Sequence, residues 1–472
     1  MTDPSLHLVS RRIFTAVPGA PDESAGVVSI AGERIHSVRT VARAEELAAL
    51  TADLEGQVLD FGERPLTPAF VNAHTHLALT FLRSVRPNVD PDNLVEDLFF
   101  HHESRLTEAA VRAFARMGAY ESILSGVGFV WDHYYYPSAV IGALRDTGLG
   151  GVVAPTLQDL SGPGVGQAPA LLEATAELAQ GLENDAIFTA FGPHATDTVS
   201  SALLADVARA AEETGLPVHI HVAQSLDEYE RVHAAHGCSP VELLERTAIL
   251  DRRVLLVHGL FASDRDLDRL VPDRHCLGFC PYSQLIFGLP APVGRWAEKG
   301  LPFFVATDCA ASNDSMNVQK ELRFLANQPT GGATFSASYR RFGAEGTPAA
   351  ARAAWAERNQ LRAGADRPSR RLLDRVFSLP GNLHPHARTG VLDAGAIANV
   401  LVFDPDHPSL WPCIDLPHTL AMADCTLGIH QMFVGGKARG EAGRFQESLT
   451  ESETYRAHAE EARSWIRQLL LR

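Results

Sequence analysis

At 472 residues, with 46% apolar and 21% charged side chains, the chain is long enough for a barrel-sized core plus a satellite and has the balance of an ordinary globular protein. A formal net charge of −16 at pH 7 argues against nucleic-acid or anionic-membrane partners, and no apolar run reaches the about 18 residues of a membrane span. The opening MTDPSLHLVSRR has no signal-peptide core, and the six cysteines form no CxxC pair, so reduced thiols and a cytoplasmic protein are expected.

In chain order, residues 8–17 and 27–38 read as short strands rich in β-branched side chains. Residues 67–72 form a buried strand, and seven further apolar strands follow at 126–131, 151–155, 187–192, 217–223, 254–258, 275–280 and 301–307. Helical stretches lie between most of them, at 108–124, 168–182, 202–214 and 240–247. Eight strands alternating with helices predict an α/β fold, a (β/α)8 TIM-type barrel over 66–387. Residues 340–371, rich in Ala and Arg, read as helices and a loop. Strands return at 391–403 and 428–434, the latter ending in a Gly435-Gly436 hairpin turn. Residues 1–65 and 388–445 are expected to pair into one small β-sandwich domain. The tail, 446–472, reads as a helix capped by Thr450 and Glu453, with Ile466, Leu469 and Leu470 packing on the chain itself.

The chemistry concentrates at strand ends. LTPAFVNAHTHLAL (66–79) runs a strand into His74 and His76, whose i, i+2 spacing aims both imidazoles at one point. LPVHIHVAQS (216–225) presents His219 and His221 on one face, with His221 nearer the strand's end and the better ligand. VLLVHG (254–259) carries His258, and LPFFVATDCAASND (301–314) carries Asp308. A lone His at a strand end is more often a hydrogen-bonded core residue, and a lone Asp after a strand often caps the next helix. Four such donors around one barrel mouth read instead as a site for one divalent ion, Zn²⁺ foremost, with Fe²⁺, Co²⁺ or Mn²⁺ as alternatives. An open coordination position there would hold water and lower its pKa.

With these residues in place the chain resembles the amidohydrolase superfamily of metal-dependent hydrolases, in its deaminase and chlorohydrolase (TRZ/ATZ-like) branch. The resemblance spans nearly the whole chain: TPAFVNAHTH, HHESRLT (101–107), SGVGFVWDHY (125–134), FGPHATDTVS (191–200), TDCAASND (307–314) and 390–404 all match. It implies a metal held by His74, His76, His221 and Asp308, with Asp308 also moving the proton of the attacking water. It implies that His258 is a pocket residue that polarises substrate or bridges to the bound water, and that His194 and Glu103 contact substrate. Binuclear relatives bridge two metals through a Lys on strand four. Here Lys occurs only at Lys299, Lys320 and Lys437, so a single metal is expected. A homo-oligomer, dimer or tetramer, is expected by analogy.

The sequence departs from the family pattern in three places. Gln224 stands where deaminases carry the Glu of His-x-x-Glu, and an amide cannot exchange protons near neutral pH. FCPYSQL (279–285) replaces a more polar stretch. With Phe99, Phe100, Tyr134, Tyr135, Tyr136 and Phe287, its Phe279 and Tyr282 are expected to form an aromatic rim suited to a small neutral substrate. Ala398-Asn399 replaces an acidic Asp-Ala-Asp and is expected to affect only the sandwich. The expected function is a mononuclear metal hydrolase in which water attacks an sp² carbon. Gln224 favours amide, carbamate or thiocarbamate bonds. The alternatives are deamination or dechlorination of a purine-, pyrimidine- or triazine-like ring and, in another class, a non-catalytic metal- or ligand-binding relative.

Overall fold

The structure is a computed structural model that describes residues 4–85, 95–178, 186–287, 291–332, 336–364 and 369–470; the side chains of 285–287, 328–332 and 361–364 lie outside that description. The N-terminal segment supplies β1 (Leu6–Ile13), β2 (Ser24–Ala31), β3 (Arg34–Val41), β4 (Gln57–Asp60) and β5 (Leu66–Pro68). The strand expected at 67–72 divides at Ala69: β5 stays with the N-terminal strands and β6 (Phe70–Thr75) begins the central part. There follow β7 (Val127–Tyr134), β8 (Gly150–Leu157), β9 (Ile187–Thr189), β10 (Gly192–Pro193), β11 (Val218–Val222), β12 (Val254–His258), β13 (His275–Phe279) and β14 (Phe303–Val305). The C-terminal strands are β15 (Val400–Phe403), β16 (Ile429–Val434) and β17 (Lys437–Arg439).

Both chain ends meet in one eight-stranded sheet of order β17-β16-β15-β5-β1-β2-β3, with β4 also on β1. The expected sandwich is thus a single hydrogen-bonded sheet. Its last long strand is shorter than expected, because the chain turns at Gly395 (φ 82°) and pairs with β5 only from Val400. Gly435 and Gly436 make the expected turn, both in the left-handed region (φ 55° and 72°) that such a hairpin requires. Asn399 does more than serve this sheet. Its amide donates to the Gly128 carbonyl on β7 at 3.2 Å and accepts from Gly435 N–H at 2.9 Å, tying sheet to central strands.

The central strands are parallel and form two sheets, β10-β8-β7-β6, with β9 on β8, and β11-β12-β13-β14. Their edges meet at isolated parallel bridges, Thr75 with Asp308 on one side and Phe191 with Val218 and Ala195 with His221 on the other. The result is TIM-barrel-like, with β9 and β10 sharing the fourth strand position, rather than one continuously paired barrel. Alternate residues of each strand fill the interior: Val71 and Ala73, Phe129 and Trp131, Val152 and Ala154, Leu255 and Val257 form one buried cluster. Among the described residues no helix is long and apolar enough to cross a membrane, and all six cysteines are buried free thiols.

Helices cover the outside. The C-terminal helix Glu453–Leu469 is capped by Ser452, whose hydroxyl accepts Tyr455 N–H at 3.1 Å. Thr450, the expected cap, belongs to the preceding helix and donates to the Gln446 carbonyl. The tail's Ile466, Leu469 and Leu470 do pack on the main core. The helix Glu108–Leu124, capped by Thr107, lies against the segment just after His76. The approach is closest at Gly118, where a Cβ would stand 2.5 Å from the Leu77 carbonyl oxygen. In an open helix Ala is preferred over Gly by about 1 kcal/mol. Gly118→Ala is expected to reverse that sign and cost about 1–3 kcal/mol through overpacking, seen as a lower thermal midpoint. An unchanged or higher midpoint would show that the helix does not depend on this approach.

Candidate functional site

Five side chains from four strand ends converge at the C-terminal mouth. His74 is still in β6 and His76 lies just past it; His221 is in β11, His258 ends β12, and Asp308 follows β14. All are buried, none more than 8% exposed. Asp308 Oδ1 lies 3.5 Å from His74 Nε2 and 3.3 Å from His76 Nε2, and Asp308 Oδ2 lies 3.9 Å from His258 Nε2. His76 Nε2 and His221 Nε2 are 3.3 Å apart. One donor atom each from His74, His221 and His258, and from His74, His76 and Asp308, falls within 4.8 Å of the others in its group. His74, His76, His221 and Asp308 are thus brought together.

The tautomers of two of these rings follow from their partners. His76 Nδ1 faces the His133 carbonyl at 2.5 Å and His221 Nδ1 faces the His194 carbonyl at 2.7 Å. A carbonyl only accepts, so each Nδ1 carries the hydrogen, and in the neutral ring that binds a cation each Nε2 presents a lone pair. Two lone pairs and a carboxylate oxygen then face one another, an arrangement that repels itself unless a cation lies between them. Ligand bonds of about 2.0–2.1 Å place donors of a tetrahedral ion about 3.3–3.5 Å apart, the range seen here. His74 Nε2, buried without a hydrogen-bond partner, belongs to the same set; its Nδ1 is 2.8 Å from His219 Nε2.

The backbone is strained at the mouth. Ala223 (φ 51°), His258 (φ 80°) and Asp308 (φ 60°) sit in the left-handed region at the ends of β11, β12 and β14. Such residues cost of the order of 1–3 kcal/mol each and persist where surrounding structure dictates them. Glu228 is one such determinant, accepting Ala223 N–H at 3.0 Å, Gln224 N–H at 2.7 Å and the Thr196 hydroxyl at 2.5 Å.

Burial dominates the electrostatics. It lowers His74, drives His221 well down, and brings His194 and His258 to about 3, Asp308 partly opposing it at His258. Burial acts on His76 too, but the charges of Asp308 and Asp132 outweigh it and raise that ring. Burial would raise Asp308, yet His74 and His76 overcome it and hold the carboxyl well below its ordinary range. Glu103 is pushed by burial up to about 7, against His76 and the Tyr134 hydroxyl.

Above the cluster opens a small cavity that reaches solvent. His76, His221 and Asp308 form its floor; Phe99, Phe100, Tyr134 and Tyr135 are its aromatic walls; Glu103, His194 and Gln224 add polar groups. Phe279 and Tyr282 do not line it. The Phe279 ring turns to the helix-covered side of β13 and packs edge-on against Trp296, and Tyr282 is 39% exposed beside Phe324. Tyr136 turns away towards Leu106, while the Phe287 side chain lies outside the described residues.

Several contributors escaped the sequence reading. His219 was recognised as sharing a face with His221, but its contact with His74 was not. Ser283, which donates to Asp308 Oδ2 at 2.6 Å, carries no motif. His133 lines the cavity, and the alternation Phe129, Trp131, His133 along β7 would have placed it on the inner face.

Comparison with known proteins agrees with this geometry. Residues 66–340 match the model of the Amidohydrolase family. A 5-methylthioadenosine/S-adenosylhomocysteine deaminase of Moorella thermoacetica is 29% identical over 435 residues, 90% of this chain and 93% of the relative. A 5'-deoxyadenosine deaminase of Methanothrix thermoacetophila is 30% identical over 275 residues, 58% of this chain and 65% of the relative. Among solved structures, a zinc-bound adenosine deaminase from Xanthomonas campestris superposes with a TM-score of 0.81 at 19% identity, covering 99% of both chains. A zinc-complexed atrazine chlorohydrolase from Arthrobacter aurescens gives 0.76 at 19%, covering 98% of this chain and 100% of the other. At such identities the two structures share the fold. These deaminase relatives favour the ring-directed alternative of the sequence reading over its acyl preference. The chain belongs to the amidohydrolase family and is a metal-dependent hydrolase of carbon–nitrogen bonds other than peptide bonds.

Proposed function

We propose that one divalent ion is held by His74, His76, His221 and Asp308, and that the enzyme adds water to an sp² carbon of a small neutral substrate, with deamination or dechlorination of a purine-, pyrimidine- or triazine-like ring as the preferred class. The catalytic unit in this reading is residues 66–387, with the paired chain ends as its support. The observation that carries the metal is the pair of facing Nε2 lone pairs on His76 and His221 beside the Asp308 carboxylate. When bound, the ion acts as a Lewis acid and makes water a nucleophile near neutral pH.

The chain's own groups divide the remaining work. Asp308, kept ionised, takes a proton from water and delivers it to the leaving group. Ser283 holds Asp308 Oδ2, which leaves Oδ1 turned towards His74 and His76. In this reading His258 polarises the substrate, and His194 and Glu103 contact its body. Gln224 offers hydrogen bonds but no proton. The preference for a ring carbon rests on the deaminase relatives at 29–30% identity. Amide, carbamate or thiocarbamate bonds, whose leaving group Asp308 alone can protonate, are the second reading, and it rests on Gln224.

Elemental mass spectrometry of protein purified without added metal is expected to find about one divalent ion per chain, and less than a tenth of that in His74→Ala. No metal in the wild type would remove the catalytic reading. A substrate panel should read ammonia and acid release in parallel, and include 5'-deoxyadenosine, an N,N-dialkylcarbamate and a thiocarbamate. Ammonia release is expected to dominate. Gln224→Glu restores the missing acid, and general acid catalysis is worth about 10²–10⁴-fold. The variant is expected to raise ammonia release from the nucleoside by up to about that factor. Acid release that dominates in the wild type, with no gain in ammonia release in the variant, would decide for acyl hydrolysis.

A further inference from the structure

We propose that His133 is a substrate-binding residue, its Nε2 forming a hydrogen bond with a polar atom of a neutral substrate held above the histidine cluster. The proposal rests on the hydrolase reading above and adds a contact that neither the motifs nor that reading contain. His133 is the last inward residue of β7, one step beyond Trp131, and it lines the cavity beside His76, His194 and His221. Its ring centroid is 5.0 Å from that of His221, 5.9 Å from His76 and 6.2 Å from His194.

The ring is held from behind. Nδ1 lies 3.0 Å from the Thr156 hydroxyl on β8, and the Pro193 carbonyl acts on the ring as well. Nε2 is buried with no hydrogen-bond partner, although buried polar atoms are nearly always paired. A ring fixed at one nitrogen, with its other nitrogen unmatched on a cavity wall, is built to receive something from the cavity. The occupant is a neutral molecule with a carbonyl oxygen, ring nitrogen or N–H at that height. A charged group is disfavoured because the surrounding rings are desolvated.

His133 has a second task, since its backbone carbonyl accepts from His76 Nδ1. The two tasks separate cleanly, because a side-chain substitution keeps the carbonyl. His133→Phe keeps the ring's bulk without a polar atom, and His133→Gln places an amide near the Nε2 position. Metal-loaded wild type and both variants are compared for metal content, for calorimetric affinity towards 5'-deoxyadenosine and an N,N-dialkylcarbamate, and for kcat/KM on whichever is hydrolysed.

The expected result is equal metal in all three, affinity for at least one probe about 3–10-fold weaker in His133→Phe, kcat/KM lower by about 10²-fold, and His133→Gln within about threefold of wild type in affinity. Wild-type affinity for both probes in His133→Phe would overturn the proposal. So would equal losses in both variants, or loss of metal in His133→Phe, since either assigns the ring to support of the cluster. The type of product released, ammonia or acid, tests the reading above independently of these ratios.

Discussion

The Asp308 carboxylate is the group around which the mouth is arranged. Moving a carboxylate out of water costs several kcal/mol even after relaxation, and this one is 5% exposed. Ser283 supplies one direct hydrogen bond, and three imidazole nitrogens stand at 3.3–3.9 Å. The same residue closes the ring of strands. Asp308 N–H donates to the His74 carbonyl at 3.1 Å, where the first and last strand positions meet. Placing the carboxylate and closing the ring are therefore one event. The left-handed backbone at Asp308 is the local cost of meeting both requirements.

Orientation of the imidazoles depends on backbone more than on side chains. The carbonyls of His133 and His194 fix the rings of His76 and His221. Each donor ring is thus aimed by the main chain of a neighbouring strand segment, and main-chain partners survive substitution. Such partners set both the tautomer and the ring orientation of a ligand. His74 is the exception, with a side-chain partner in His219. Further out, the helix Glu108–Leu124 presses on Leu77 through Gly118, and Leu77 N–H donates to Asp132 at 2.6 Å. The turn after His76 is therefore gripped from both sides.

How much of this could be read from the sequence follows from the range of each interaction. Strand-end donors repeat at fixed short spacing, so His74, His76 and His221 were legible from period-two alternation, as was Asp308 from the apolar run before it. Their convergence needed the order of the strands, which the α/β alternation supplied. Ser283 and Glu228 lie on helices and Thr156 on β8, and each acts through a contact with another element that no periodicity within its own segment reports. Phe279 was misassigned for a related reason. Aromatic character near a strand end says nothing of which side the ring takes, and in β13 that side is the one facing Trp296. The division of the first strand at Ala69 was also invisible, because β5 and β6 form one apolar run whose halves pair with different sheets.

The titratable groups of the mouth separate into two kinds, and that separation bears on what can bind. Asp308 is held ionised by its imidazoles, whereas Glu103, Asp132 and Glu228 are each raised by burial to about 7. Where environments push neighbouring acids apart in this way, their roles divide between base and acid. Asp308 is thereby held as the proton acceptor, whereas burial pushes Glu103, on the cavity wall, towards its neutral form. Replacing Glu with Gln224 removes another anion from the same wall. The cavity thus concentrates its negative charge at its floor, beneath aromatic walls and imidazoles that burial keeps neutral. A cationic or anionic substrate would be desolvated there without a matching partner, whereas a neutral, compact molecule with a few polar atoms loses little on entry. The same exclusion of stray charge keeps the field of the floor undiluted, which is the condition under which a bound cation and a single carboxylate act most strongly on a reacting bond.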